Sequence, residues 1–206
     1  ISTFSFSQHK KILIEYAFQM EGEFLNEKMK RDPMSVKILG GVEEKANKAT
    51  FKLLFENNIS IFKSLDEMPM DNPGGNIEIA RILTGQNSIY IRNTEQNTLI
   101  INREFDGTIY NSNLPQDLKW EISSENKKIN GYDCYKATTN DPRRNGELTA
   151  WFCPKLPYPV GPIEYGNLPG LILELQINRI KYMATKNDID YQGPLIFEIP
   201  KGKSIQ

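Results

Sequence analysis

The stretch from Tyr132 to Cys153, YDCYKATTNDPRRNGELTAWFC, constrains the fold more than any other part of the chain. A cluster of turn formers, NDPRRNGE, separates two segments that read as strands. Centring a hairpin between Arg143 and Arg144 sets Tyr135 opposite Phe152 and Ala137 opposite Ala150, an apolar face. The same register sets Thr138 opposite Thr149. It also sets Lys136 opposite Trp151, a cation–π pairing. Cys134 then falls directly opposite Cys153, close enough for a disulfide if the site is not hydrogen-bonded. That bond would contribute about 3 kcal/mol by restricting the unfolded chain. It would also place the protein in an oxidising compartment, periplasmic or extracellular; the alternative reading is two free buried thiols in a cytosolic protein.

The rest of the chain repeats this style of short strand and turn. KILIEYAF carries Ile12, Ile14, Tyr16 and Phe18 on one face. TFKLLFENNISIFKS reads as two strands about Asn57-Asn58. NSIYIRNTEQNTLIINREFDG reads as a hairpin about TEQN, with Ile89, Ile91 and Ile100 on one face and Tyr90, Leu99 and Ile101 on the other. Apolar residues on both faces mean that both are covered. DLKWEISSENKKINGYDCYKA, GLILELQIN, IKYMATKND and PLIFEIPKG supply further strands. EGEFLNEKMKRDPM reads as an irregular or short helical excursion, GVEEKANKA as a short helix, and DEMPMDNPGGN as a loop. The expected fold is mainly β: one antiparallel, strongly curved sheet, or a sandwich or incomplete barrel, with one or two short helices. With 206 residues and no repeat or linker, a single domain over 1–206 is expected.

Charge excludes some functions. The formal net charge of −1, with no basic stripe, argues against a nucleic-acid partner. No stretch approaches the roughly 20 apolar residues of a membrane span. A start at Ile1 is expected for a product whose signal peptide has been removed, and no Cys near it would carry a lipid.

Catalytic signals are sparse. The single histidine, His9, lies in a polar lead-in and is expected to be solvated. One histidine and two cysteines committed to a bridge are too few for zinc or iron, and DNPGGN lacks the acidic spacing of a calcium loop. No cofactor is expected. Glu174, alternating with leucines in LILELQ, is expected at an edge or facing solvent.

GPIEYGNLPGLILEL raises the question of a phosphate loop. No Lys or Ser/Thr follows Gly170, and the following residues read as a strand rather than a helix, so a phosphate cradle is excluded. Pro169 fixes its own φ and restricts Leu168, while Gly170 is free to adopt unusual backbone, so the turn launches a buried strand. NLPGLILEL, preceded by AWFCPKLPYPVGPIEYG and by WEISSENKKINGYDCYKA, resembles the signature of the GLPGLI family of secreted or periplasmic Bacteroidetes proteins. The match runs from about Leu118 to Ile177. Leu168, Pro169, Gly170, Leu171 and Ile172 stand at motif positions, and Asn167 replaces the first glycine. The resemblance implies a mostly β fold, an envelope location and association with outer-membrane TonB-dependent receptors, and it names no reaction.

The expected function is therefore a non-enzymatic envelope binding or accessory protein. Its partner would be an outer-membrane protein or a peptide or lipid ligand, met through Trp151, Tyr158 and Tyr165. The alternatives are a carrier of an apolar ligand, with a cavity lined by Ile89, Ile91, Ile100, Phe152 and Leu173, and a hydrolase of carbohydrate or peptide.

Overall fold

The computed structural model describes residues 11–65, 75–105, 108–114, 118–144, 146–194 and 203–205. Twelve strands form one sheet: β1 (Ile12–Met20), β2 (Thr50–Glu56), β3 (Ile59–Ser64), β4 (Ser88–Asn93), β5 (Thr98–Phe105), β6 (Thr108–Leu114), β7 (Glu121–Ile129), β8 (Tyr132–Asn140), β9 (Glu147–Cys153), β10 (Leu171–Ile177), β11 (Ile180–Asp188) and β12 (Lys203–Ile205). Their order is β12-β6-β5-β4-β3-β2-β1-β11-β10-β9-β8-β7, so two meanders meet at β1. All pairings are antiparallel except that of β12 with β6.

The sheet is not closed, and chain length forces it to curl. Strands β6 and β7 are ten positions apart in the order. At about 4.8 Å per strand a flat sheet would separate them by roughly 50 Å. Yet only residues 115–120 join them, and such a link reaches at most about 25 Å. Strands β6 and β7 must therefore approach each other, which is an incomplete barrel.

Alternation assigns the faces. Tyr16, Phe18, Phe51, Phe62 and Tyr182 pack edge-on or stacked on the inner side, with ring centroids 5.1–6.0 Å apart. Their buried hydroxyls are satisfied: Tyr16 donates to the Ile172 carbonyl at 2.7 Å and Tyr182 to the Thr84 carbonyl at 2.8 Å. The β2–β3 turn forms as read, with Asn57 and Asn58 both left-handed at φ 49° and 65°.

The Cys hairpin keeps the expected register, with Tyr135 opposite Phe152, Lys136 opposite Trp151, Ala137 opposite Ala150 and Thr138 opposite Thr149. Both thiols are buried and free in this structure, so no disulfide is seen. Burial first, then Cys153, pushes the Cys134 thiol up to about 12. The cation over Trp151 is Lys127, at 4.3 Å from the ring centroid, rather than Lys136, which pairs with Glu125 across the β7–β8 ladder.

Four short helices are present among the described residues: α1 (Glu27–Lys30), α2 (Pro33–Leu39), α3 (Val42–Ala46) and α4 (Gly75–Thr84). Asn26 and Asp32 cap α1 and α2 through their side chains, as helix starts require. Helix α4 begins inside the Pro/Gly stretch expected to be loop and turns Ala80 and Thr84 inward. No helix among the described residues is long and apolar enough to cross a membrane. His9 and most of DEMPMDNPGGN and PLIFEIPKG lie outside the described residues.

Candidate functional site

The middle of the segment joining β9 to β10 does not run over the surface. Residues from Val160 to Gly166 are all buried, with only the Val160–Gly166 bridge as regular structure. Its polar backbone groups therefore need partners from elsewhere. The Glu164 carbonyl accepts from Arg92 Nη2 at 2.5 Å, and the Gly166 carbonyl accepts from Trp120 Nε1 at 3.0 Å. Asn167 has left-handed backbone at φ 64°, a conformation that glycine adopts without strain. Its side chain donates to Asn97 Oδ1 and accepts from Arg92. Ile163 is also left-handed, at φ 48°. For a β-branched residue that costs about 1–3 kcal/mol and is held only by surrounding packing.

A charged network ties this segment to the β8–β9 turn. Asp141, whose side chain is fully buried, takes a two-pronged contact from Arg143, with Nε to Oδ1 at 2.8 Å and Nη2 to Oδ2 at 2.6 Å. Tyr165 donates to the same carboxylate at 3.0 Å. Burial works against its ionisation, but the Arg143 side chain and backbone N–H and the Tyr165 hydroxyl outweigh it, holding Asp141 at about 2. Glu164, 7% exposed, accepts from Arg144 Nη2 at 2.6 Å on Oε1. Its Oε2 is buried without a protein partner. Burial opposes the Arg144 charge, and Glu164 more than offsets that, leaving its guanidinium above the usual range. Arg92, 3% exposed, is pushed down to about 10 by burial against the pull of Glu164, and it stays charged at neutral pH.

Beside this network a cavity of about 440 Å³ opens between the end of α4 and the inner face of the sheet. Tyr90, Tyr182 and Ile163 form its inner wall, and Ile82, Leu83, Ile180 and Asn87 its mouth. Arg103 and Arg144 line it as well. Gly85 keeps it open: it sits at φ 76°, and a Cβ there would meet Tyr90 Oη at 3.0 Å. Burial, then Glu164, pushes the Tyr90 hydroxyl up to about 12, and burial carries Tyr182 well above its ordinary value. The two tyrosine hydroxyls facing this cavity therefore do not exchange protons near neutral pH. Among the described residues no group of three or more His, Cys, Asp or Glu side chains comes together to hold a metal.

The residues singled out in the sequence are scattered by the fold. Trp151 is half-buried under Lys127, Tyr158 packs edge-on against Phe55 at 5.4 Å, and Tyr165 is 1% exposed within the core. They share no surface. Ile91 lies opposite Ile100 on the outer face, with Ile89 beside them, whereas Phe152 is in the inner core, so these residues do not line one cavity. Glu174 is neither at an edge nor facing solvent. It is 9% exposed on the internal strand β10, where Lys127 Nζ reaches its Oε2 at 2.7 Å. Leu168, Leu171 and Ile172 are buried, and Pro169 is exposed at the turn. Sequence reading missed Arg92, Arg103, Arg144 and Glu164. The available signal was an arginine at inward-facing strand positions, since Arg92 and Arg103 share a face with Tyr90 and Ser88.

The family described as "Protein of unknown function (Porph_ging)" matches residues 142–174, the stretch that contains Arg144, Glu164 and the buried segment. Among curated proteins no match is found. Solved structures of PNGF-II in space groups P21 and C2 are similar to this chain, with TM-scores of 0.61 and 0.60 and sequence identities of 15% and 14%. Each alignment covers 95% of this chain but only 32% and 31% of the PNGF-II chain, so this chain spans about a third of that protein. At such identity the likeness is one of fold.

Proposed function

We propose that the protein is a binding module of the cell envelope, related to the GLPGLI proteins, that holds a small ligand in the cavity beneath α4. The observation that carries this reading is the cavity itself: about 440 Å³, within the roughly 300–1,000 Å³ of small-molecule sites, with walls that combine aliphatic side chains, two tyrosines and two arginines. The carrier reading thus moves from the outer-face isoleucines to the interior. The uncharged fluorophore N-phenyl-1-naphthylamine is expected to bind saturably at one site. Binding should be lost in Ile180→Trp, which fills the mouth with an indole. Absence of saturable binding to the wild type refutes the reading.

The envelope location rests on the resemblance and on the two cysteines, each one position beyond the Tyr135–Phe152 pair of β8 and β9. In protein taken from the native envelope, Cys134 and Cys153 are expected to be joined and to resist alkylation until reduced. The bond would add about 3 kcal/mol to stability. Two alkylatable thiols in unreduced native material would remove this support. The accessory reading, with an outer-membrane partner, draws on the exposed Met34, Val36, Ile38 and Ile82 of α2 and α4, the last of which also borders the cavity.

A further inference from the structure

Resting on the reading that this cavity is a ligand site, we propose that its ligand is an amphipathic anion. One carboxylate or phosphate group is held at Arg103 and Arg144, and a short apolar body lies against Leu83, Ile163 and Ile180.

The charge balance of the inner face is the first reason. Arg92, Arg103 and Arg144 all project from elements around the cavity, and the acidic group among them is Glu164, which is already committed to Arg144. Asp141 is taken by Arg143. The local surplus is positive, in a concave wall that concentrates the field. Among the described residues Arg103 has no carboxylate partner. Its Nε donates to Ser88 Oγ at 3.1 Å, which fixes the plane of the guanidinium without neutralising it. A planar fork held in this way suits a carboxylate or a phosphate.

The second reason is the rest of the lining. Leu83, Ile163 and Ile180 offer apolar surface, and the Tyr182 hydroxyl is already spent on the Thr84 carbonyl. A free inorganic anion would leave that apolar wall in contact with water. A neutral alcohol would leave Arg103 without a counter-charge. An acid with a short chain uses both parts. Ile163 also holds strained backbone at this wall, and strain of that kind gathers at ligand sites.

The test is displacement of N-phenyl-1-naphthylamine by decanoate, decyl phosphate, decanol, acetate and inorganic phosphate. Decanoate or decyl phosphate should displace it at least about tenfold more tightly than decanol. Acetate and inorganic phosphate should be weaker still. Arg103→Gln lies at an exposed position and should fold normally. It should cost the chain-bearing acids at least about tenfold while leaving decanol within about threefold. Equal affinity for decanol and the acids overturns the proposal, as does an Arg103→Gln variant that binds the acids like wild type. Inorganic phosphate or acetate matching the chain-bearing acids overturns it in favour of a free-anion site. Failure of the fluorophore itself to bind is the separate failure of the cavity reading.

Discussion

Gly170→Val is expected to cost more than about 4 kcal/mol in urea unfolding, outside the range of most single substitutions. A Cβ at this position would overlap the Cys153 carbonyl oxygen and lie 2.6 Å from the Cys153 carbonyl carbon and 2.9 Å from the Pro154 nitrogen. These are backbone atoms at the end of an internal strand, so nothing can swing aside. Cys153 is paired with Leu171, and the Leu171 N–H is bonded to the Leu156 carbonyl, so a shift would pass into β10 and into the buried segment together. Gly131 is the natural comparison. It too has positive φ, at 83°, but a Cβ there meets nothing within 4 Å. Gly131→Ala should therefore cost only about 1–2 kcal/mol of backbone strain. If Gly170→Val melts like Gly131→Ala, the close approach of this turn to β9 is not what the structure shows.

Glu164→Ala is expected to destabilise by about 3–5 kcal/mol, the cost of breaking a buried ion pair from one side. The carboxylate is the counter-charge for Arg144 and also stands beside buried Arg92. Removing it leaves two guanidinium groups repelling each other behind the sheet, only one of them, Arg144 with a side chain 35% exposed, able to reach water. The double variant Glu164→Ala/Arg144→Ala should be less destabilised than the sum of the single variants by about 1–3 kcal/mol. Chemical denaturation of the four proteins at neutral pH measures this coupling. Strict additivity would mean that the pair is not formed.

Much of the sheet was legible because its information is local. The β8–β9 register could be read from Tyr135, Lys136, Ala137 and Thr138 against their partners, since turn chemistry and cross-strand matching act within a few residues. The Asn57-Asn58 turn was legible for the same reason. Helix α4 was hidden because its first residues, Gly75 and Asn76, belong compositionally to the loop before it. The site was hidden for a different reason. A Pro- and Gly-rich stretch such as 154–170 normally lies in solvent, because its backbone groups have no regular partners. Here those partners are Arg92 and Trp120, both distant in sequence, and no local pattern announces them. Asp141 and Glu164 likewise sit among turn and loop residues that read as a wet surface, and only the curl of the sheet turns them inward. Glu174 was misplaced because alternation gives the face of a residue but not whether another strand, here carrying Lys127, closes over it.

The position of β1 shapes how the protein comes to exist. It is the first described strand, yet it is the seam between the two meanders, pairing with β2 on one side and β11 on the other. On a ribosome or emerging from a translocation pore, β1 can pair with β2 early, but its other border stays open until β11 has followed. Such high contact order favours slow folding. It also leaves an unpaired strand edge exposed to other nascent molecules in the meantime. Completion of the sheet is thus a late event that joins two separately formed halves, and the cavity, whose walls come from both halves, comes into being only at that moment.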